Sequence, residues 1–592
     1  MKIAAAALLL ASLGLSSISW AKPFSSILGE DAEMFLYVKR LSESRNALLD
    51  HPFYEMSEDE ELHEFFELFS DSSDDLDTEE PGFVEVLKED FGLTVDELFE
   101  LFPGQGGFVF FSLTEMIMDE ADYPDMAILL EYEGEREKLD ELLQIQFERN
   151  AASQKAINPA IEHELKEESF MGETLYFDEV FDGVDTYVED GYALVEGIFI
   201  LASPEDRLRS IVESIKKGPD AALDENASYL NAVDASGTAA DISLYLNLEK
   251  IMPVLSEAFV GGMMESGLAT YGVTSSSLEK ALSFNSLLSF YMDFELEEEG
   301  IRLHSNLIHS GKTGLLSLLS YKSGLLPEAT YIPDDLLSAS VSLFDMGAML
   351  SSLESLLNTA SPALAPMIDI QLQKIQTQTG VDFRSAILEN LGTELVNFSM
   401  MEDASDDLII PVAQQYYVLE IKDGDSLARA IETLKDLVPG GRAFIEAQEF
   451  EGQTIFTVQT PQVPNPHVDP ELRFSYLITR SSLIMGYGKI GNLQKMLTDM
   501  NDSSAEGIFQ DPEVEALFER IAQPNPVARS YADLSAFIEP MIAGFRQAGM
   551  IGGIGADLEI PDALSGGFRI LTETNEDENG IYSRALLIIN ED

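Results

Sequence analysis

The chain writes one phrase twice: FMGETLYF at 170–177 and, 280 residues later, FEGQTIFT at 450–457. Further matches keep their order on both sides of it. Upstream, FGLTVDELFELFPGQ (91–105) faces TGVDFRSAILENLGTE (379–394), and ILLEYEGEREKLDELL (128–143) faces YVLEIKDGDSLARAIETL (417–434). Downstream, YALVEGIFILAS (192–203) faces SYLITRSSLIMGY (475–487), LYLNLEKIMPVL (244–255) faces SYADLSAFIEPM (530–541), and EEEGIRLHSNLI (297–308) faces DENGIYSRALLI (577–588). Chance likeness does not preserve both order and spacing over six blocks. The chain therefore reads as two tandem copies of one unit, 30–320 and 328–592. They meet near SYKSGLLPEATYIPDD, a Gly- and Pro-containing stretch of linker type.

Each copy mixes the two hydrophobic periods. GFVFFSL, DMAILLEYE, ETLYFDEV, YALVEGIFILAS and DISLYLNL have strand length and strand composition. EREKLDELLQIQF, PEDRLRSIVESI and GNLQKMLTDM have helical spacing, with Pro204 opening the second, where a missing N–H costs nothing. Asn579-Gly580 is a two-residue hairpin signal, and Glu299-Gly300 lies opposite it. Strands joined by tight turns must be antiparallel. The expected class is α+β, two tandem homologous repeats, each a mainly antiparallel sheet with helices packed against it. The Gly of the repeated phrase suits a turn leading into a strand, since it takes positive φ without a clash.

The first residues, MKIAAAALLLASLGLSSISWA, place one lysine before a short apolar run and small residues at 19 and 21, the pattern of a secretory signal cleaved after Ala21. The run is shorter than the roughly 20 residues a bilayer span needs, and no later transmembrane segment is expected. The chain has no cysteine, so neither a lipid-anchored cysteine nor a disulfide framework is available; stability must come from buried apolar surface. Charge is the strongest compositional signal: 106 Asp plus Glu against 35 Lys plus Arg give −71. Such a surface repels phosphate backbones, which excludes nucleic acid as a partner, and predicts that screening by salt or divalent cations stabilises the fold. The copies differ most near their starts. Residues 55–80 hold 13 acids and no Lys or Arg, an acidic insert in which Leu62, Phe65, Phe66 and Phe69 share a helical face.

Catalytic motifs fail on inspection. SGKTG (310–314) has Asn306 where a phosphate loop needs its first Gly, and reads as a turn. NEDENG (575–580) has Leu586 where a calcium loop needs a bidentate Glu, and reads as a hairpin. Six histidines form no HExxH pair; His304 and His309, five apart on an expected strand, should face opposite ways. There is no G-x-S-x-G elbow. No catalytic residue, cofactor or metal site is assigned, and Asp71, Asp74, Asp75 and Asp77 are only weak calcium candidates in a solvated acidic loop. The remaining candidates are the Gly- and Met-rich stretches at equivalent places, FVGGMMESGLATYGV (259–273) and AGFRQAGMIGGIGADL (543–558). Exposed, Gly261, Gly262, Met263, Met264, Met550, Gly552 and Gly553 would adapt to an apolar ligand or a partner helix; buried, they are a helix end and a turn.

The order of these elements behind a signal peptide, with the EEEGI and DENGI hairpins, LPEATYIPDD and GVDFRSAILENLGTE, resembles bacterial exported proteins catalogued only as a domain of unknown function. The resemblance covers nearly the whole chain and implies a periplasmic or extracellular location, but it brings no catalytic residues. The first expectation is a non-enzymatic binding or cell-envelope scaffold protein with envelope proteins, an apolar ligand or divalent cations as partners. Alternatives are a carrier or chaperone for an apolar ligand or lipoprotein, and a hydrolase whose site is dispersed in sequence.

Overall fold

The apolar runs form strands with apolar residues at successive positions because helices cover both faces of the sheet. Within the run 126–131, Ala127 and Leu129 join one core cluster with Phe24, Val109, Tyr245 and Tyr291, while Ile128 and Leu130 join another with Leu41, Phe99, Phe108 and Leu139. Side chains alternate along a strand, so two covered faces require apolar residues at every position. The structure is a computed structural model. It describes residues 23–49, 51–52, 54, 94–118, 125–236, 240–297, 299–362, 364–401, 413–437, 441–459, 471–536 and 567–589. Residues 1–21, the acidic insert and the stretch 543–558 lie outside these.

Twenty strands are described. In the first half they are β1 Met34–Val38, β2 Gly106–Phe110, β3 Met126–Glu131, β4 Glu162–Phe170, β5 Glu173–Phe181, β6 Thr186–Val195, β7 Ile198–Ser203, β8 Ile242–Leu246, β9 Leu287–Glu297 and β10 Gly300–His309. In the second they are β11 Ser338–Leu343, β12 Leu391–Met400, β13 Gln414–Ile421, β14 Ile445–Phe450, β15 Gln453–Val458, β16 Arg473–Ile478, β17 Ser482–Gly488, β18 Ala528–Asp533, β19 Phe568–Glu576 and β20 Gly580–Ile589. All pairings are antiparallel. The first half runs β4-β5-β6-β7-β3-β2-β1-β8-β9-β10. The second runs β14-β15-β16-β17-β13-β12-β11-β18-β19-β20, the same path with each strand number raised by ten.

Where a separate sheet was expected in each half, there is one continuous sheet. β10 and β20 lie side by side in nine opposed pairs, from Gly300 with Ile588 to Ile308 with Gly580, and the middle pair is His304 with Arg584. Both strands would otherwise present open edges, and pairing removes them. An open sheet seldom exceeds about ten strands. This one does so by joining two ten-strand arrays, each with its own core cluster on one face. The mixed α+β class with a large antiparallel sheet agrees with the expectation, and no helix among the described residues is long and apolar enough to cross a membrane.

The repeated phrase sits at matching hairpins. Phe170 pairs with Glu173 across Met171 (φ 52°) and Gly172 (φ 87°). Phe450 pairs with Gln453 across Glu451 (φ 47°) and Gly452 (φ 77°). Two positive-φ residues in a two-residue loop match the right-handed strand twist, and an added Cβ at either glycine would meet nothing within 4 Å. Conformation, not crowding, explains glycine there. YALVEGIFILAS, read as one strand, is instead the hairpin β6–β7, turned at Glu196 (φ 52°) and Gly197 (φ 81°). The linker-type stretch is anchored at its end: Ala329, Ile332 and Leu336 belong to the second half's core, while Leu325 is exposed.

Candidate functional site

The matched hairpins allow the two halves to be compared position by position, and one place differs in shape. After β7 the helix Glu205–Lys217 buries Leu208, Ile211, Val212 and Ile215. After β17 the helix Ile490–Asn501 buries Leu493, Met496 and Leu497 at the same spacing. This spacing sets Arg207 against Asn492 and Arg209 against Gln494. Arg207 forks onto Asp125 at 2.7 Å through both Nε and Nη2, its guanidinium 3.5 Å from the Phe111 ring centre. In the second half Asn492 Nδ2 donates to Gln414 Oε1 at 3.0 Å, an uncharged form of the same strand-to-helix bond.

Arg209 closes the space under the first helix. Its Nε and Nη2 donate to Glu168 at 3.2 and 2.8 Å, Nη2 also to Glu205 at 3.1 Å and Nη1 to Asp206 at 2.9 Å. The guanidinium lies 5.1 Å from the Phe177 ring centre. Hydrogen bonds donated by Arg209 hold Glu168 below the usual carboxylate range, and acceptance of those bonds by Glu168 holds Arg209 more firmly protonated. Counted from the matched hairpins, the second half has Gln448 for Glu168 and Thr457 for Phe177; counted along the helix it has Ile490, Gly491 and Gln494 for Glu205, Asp206 and Arg209. The cation, its three carboxylates and the ring beneath are all gone.

A groove of about 790 Å³ stands there, lined by Glu446, Ala447, Gln448, Thr457, Gln459, Glu471, Arg473, Lys489, Ile490, Gly491 and Asn492. Its floor is the strand face that carries buried Ile455 and Ser475, with Thr457 and Ser475 hydroxyls 3.0 Å apart. Two acids, two bases and several amides give a balanced polar lining, suited to hydrogen bonding a polar ligand. A groove of about 250 Å³ near Asp345, Glu354, Arg384 and Lys422 is smaller, and Arg384 is already bonded to Glu354 at 2.6 Å and Asp369 at 2.9 Å.

A polar row crosses the join between halves on the core face. Ser243, Asp293, His304, Arg584, Glu573 and Arg529 stand opposite one another on successive strands from β8 to β18. Asp293 is 1% exposed and His304 3%, and His304 Nδ1 meets Asp293 Oδ1 at 2.9 Å. Ser236 Oγ bonds Asp293 and stands 3.3 Å from the same Nδ1. Serine, histidine and aspartate thus meet, but on one imidazole nitrogen instead of in a relay across the ring, and with Ser236 1% exposed. Across the join Arg529 Nε and Nη2 donate to the fully buried Glu573 at 2.9 and 2.7 Å. The row holds structure.

Of the residues singled out in sequence, Gly261, Gly262, Met263 and Met264 lie in the last turns of the helix Leu248–Glu265. Gly261 and Gly262 are exposed, while Met263 and Met264 pack partly buried against Val260, Val273 and Leu278. Met550, Gly552, Gly553, Asp71, Asp74, Asp75 and Asp77 lie outside the described residues. In NEDENG, Asp577 Oδ1 accepts from the N–H groups of Asn579 at 2.7 Å and Gly580 at 3.0 Å, so that carboxylate caps a hairpin. Lys312 of SGKTG donates to Leu319 O at 2.6 Å and pairs with Glu576. His309 follows a register shift after Ile308 and is buried, so the simple alternation used to orient it against His304 does not apply. Gln448, Thr457 and Gln494 carry no motif. Their signal lies in aligning the two halves, which shows charged or aromatic residues exchanged for neutral polar ones.

No family model matches the chain, and no curated protein matches it. Among solved structures, "Structure of crystal form III of TP0453" is 8% identical, covering 50% of this chain and 81% of that one, at a TM-score of 0.23. A likeness of that order carries no argument about fold or function.

Proposed function

We propose that this is an exported, non-enzymatic binding or cell-envelope scaffold protein, made of two copies of one α+β unit over 30–320 and 328–592, the second of which holds a polar ligand. The signal sequence, cleaved after Ala21, directs it to the periplasm or beyond. The duplication is supported by the shared strand path and by stacked ring pairs at matching places, Tyr176 with Tyr192 at 4.9 Å and Phe456 with Tyr476 at 5.2 Å. It is also supported by two glycines, Gly104 and Gly392, whose added Cβ would strike Glu131 and Glu420. Those carboxylates accept the N–H of Gln105 at 3.0 Å and of Thr393 at 2.7 Å.

The observation that carries the binding reading is the contrast at one position: Arg209 and its carboxylates close it in the first copy, and the groove opens it in the second. A fold that needed that space filled would have kept the plug twice. An apolar carrier has less support, since Met263 and Met264 turn toward Val260 and Leu278, and hydrolysis has less because the serine–histidine–aspartate cluster is sealed.

Saturation-transfer NMR with oligosaccharides, polyols and short peptides tests this reading. Transfer to one class is expected, and its loss in the variant Gln448→Glu/Thr457→Phe/Gln494→Arg, which rebuilds the plug. No transfer, or transfer unchanged by the plug, overturns it.

A further inference from the structure

We propose that the free edge of β14 binds an extended peptide segment of a partner protein in which cationic and apolar residues alternate, its cationic side chains lying in the groove. This rests on the groove being a binding site. β4 and β14 end the sheet, and among the described residues neither has a partner on its outer side. They are defended differently. Of nine residues in β4, Glu162, His163, Glu164, Lys166, Glu167 and Glu168 are ionisable, and Lys166 is paired with Glu179. Charge on an edge strand opposes the addition of another strand. β14, IEAQEF, carries only Glu446 and Glu449 and has neither lysine nor proline.

The hairpin fixes which groups of β14 are free. Phe450 and Gln453 close a two-residue turn and so form a hydrogen-bonded pair. Alternation along an antiparallel ladder then gives Gln448 and Glu446 to β15 and turns the N–H and C=O groups of Glu449, Ala447 and Ile445 outward. A peptide added there alternates sides. Residues beside Glu446 and Gln448 point into the groove, where Glu446 stands on the edge strand itself and the base Arg473 lies two strands away on β16. Their neighbours point to the face that carries Ile445, Ala447 and Phe456. Charge decides the sign of the ligand: Glu446 and Glu449 lie on the edge strand, Glu451 lies in its turn, and the chain carries −71. Main-chain bonds would give affinity and the alternating side chains specificity.

The test uses the full chain without residues 1–21 and a labelled hexapeptide alternating lysine and valine. Comparison probes are its glutamate–valine counterpart and a version N-methylated at alternate residues, and fluorescence polarisation at about 0.15 M NaCl, where the screening length is about 8 Å, is the readout. The lysine–valine peptide is expected to bind at least tenfold more tightly than either comparison. Ala447→Pro removes an outward N–H but no ladder bond, and is expected to weaken binding at least tenfold with the melting profile unchanged. Should that variant not fold, the N-methylated peptide on the unaltered chain decides alone. Binding indifferent to N-methylation, or to a folded Ala447→Pro, overturns strand addition. If the peptide fails while another polar ligand binds and is lost in the plug variant, the peptide class is wrong and the groove stands. If nothing binds, both readings fall.

Discussion

Replacing Arg209 with alanine tests the comparison on which the groove rests. The side chain is 25% exposed, and its carboxylate partners are more open: Glu168 40%, Glu205 42% and Asp206 88%. Exposed ion pairs contribute about 0.2–1 kcal/mol each. The forked Glu168 pair belongs near the top of that range, Glu205 near the middle and Asp206 near zero. The ring of Phe177 adds about 0.5 kcal/mol. Arg209→Ala should therefore destabilise the first half by about 2 kcal/mol at low salt. Much of that should disappear in about 0.5 M NaCl, because screening acts on exposed pairs. The assay is urea unfolding of the chain without residues 1–21, followed by tyrosine fluorescence and circular dichroism, since that chain lacks Trp20, the sole tryptophan. Gln494→Ala is the matched control and should cost less than about 0.5 kcal/mol, as surface substitutions away from such features do. A loss for Arg209→Ala below about 0.5 kcal/mol at low salt, or one indifferent to salt, would refute the reasoning that a braced cation fills the first half's groove.

His309 should make stability fall on mild acidification. Burial, reinforced by Lys312, lowers its pKa from the ordinary value of about 6.5, so the unfolded chain takes up the proton first. That stability is complete above about pH 6.5 and is lost as pH falls through the folded value. His309→Gln should remove this component from the difference in urea midpoint between pH 7 and 5.5, and an unchanged difference would contradict it. With −71 to accommodate, the fold should also melt higher in about 0.5 M than in about 10 mM NaCl. An unchanged melting temperature would mean that the acids are already paired or well spread.

The strands were legible in sequence because helices on both faces leave runs such as MAILLE apolar throughout, and hairpins were legible wherever Asn-Gly or a repeated Gly marked them. YALVEGIFILAS hid its turn because Glu196-Gly197 sits between apolar residues with no polar cluster to punctuate it. The β10–β20 join was illegible for a different reason. Alternation such as LHSNLI states that a strand has a covered face, but not which strand lies beside it. The groove was hidden because it is made of what is missing: Gln448, Thr457 and Gln494 are ordinary residues until Glu168, Phe177 and Arg209 are set beside them. Gly261 to Met264 attracted notice through composition, yet half of that cluster packs against Val260.

The join itself can be measured without ambiguity because the chain has no cysteine. Ser305 stands opposite Ser583 across β10 and β20, where directly opposed Cβ atoms lie about 4.5–5.5 Å apart, close to the span a disulfide bridges. Ser305→Cys/Ser583→Cys should form an intramolecular disulfide under mild oxidation, while Ser305→Cys/Ser342→Cys, with its second cysteine on β11, should remain as free thiols. If the first pair stays reduced in the folded chain, the two arrays are not one sheet.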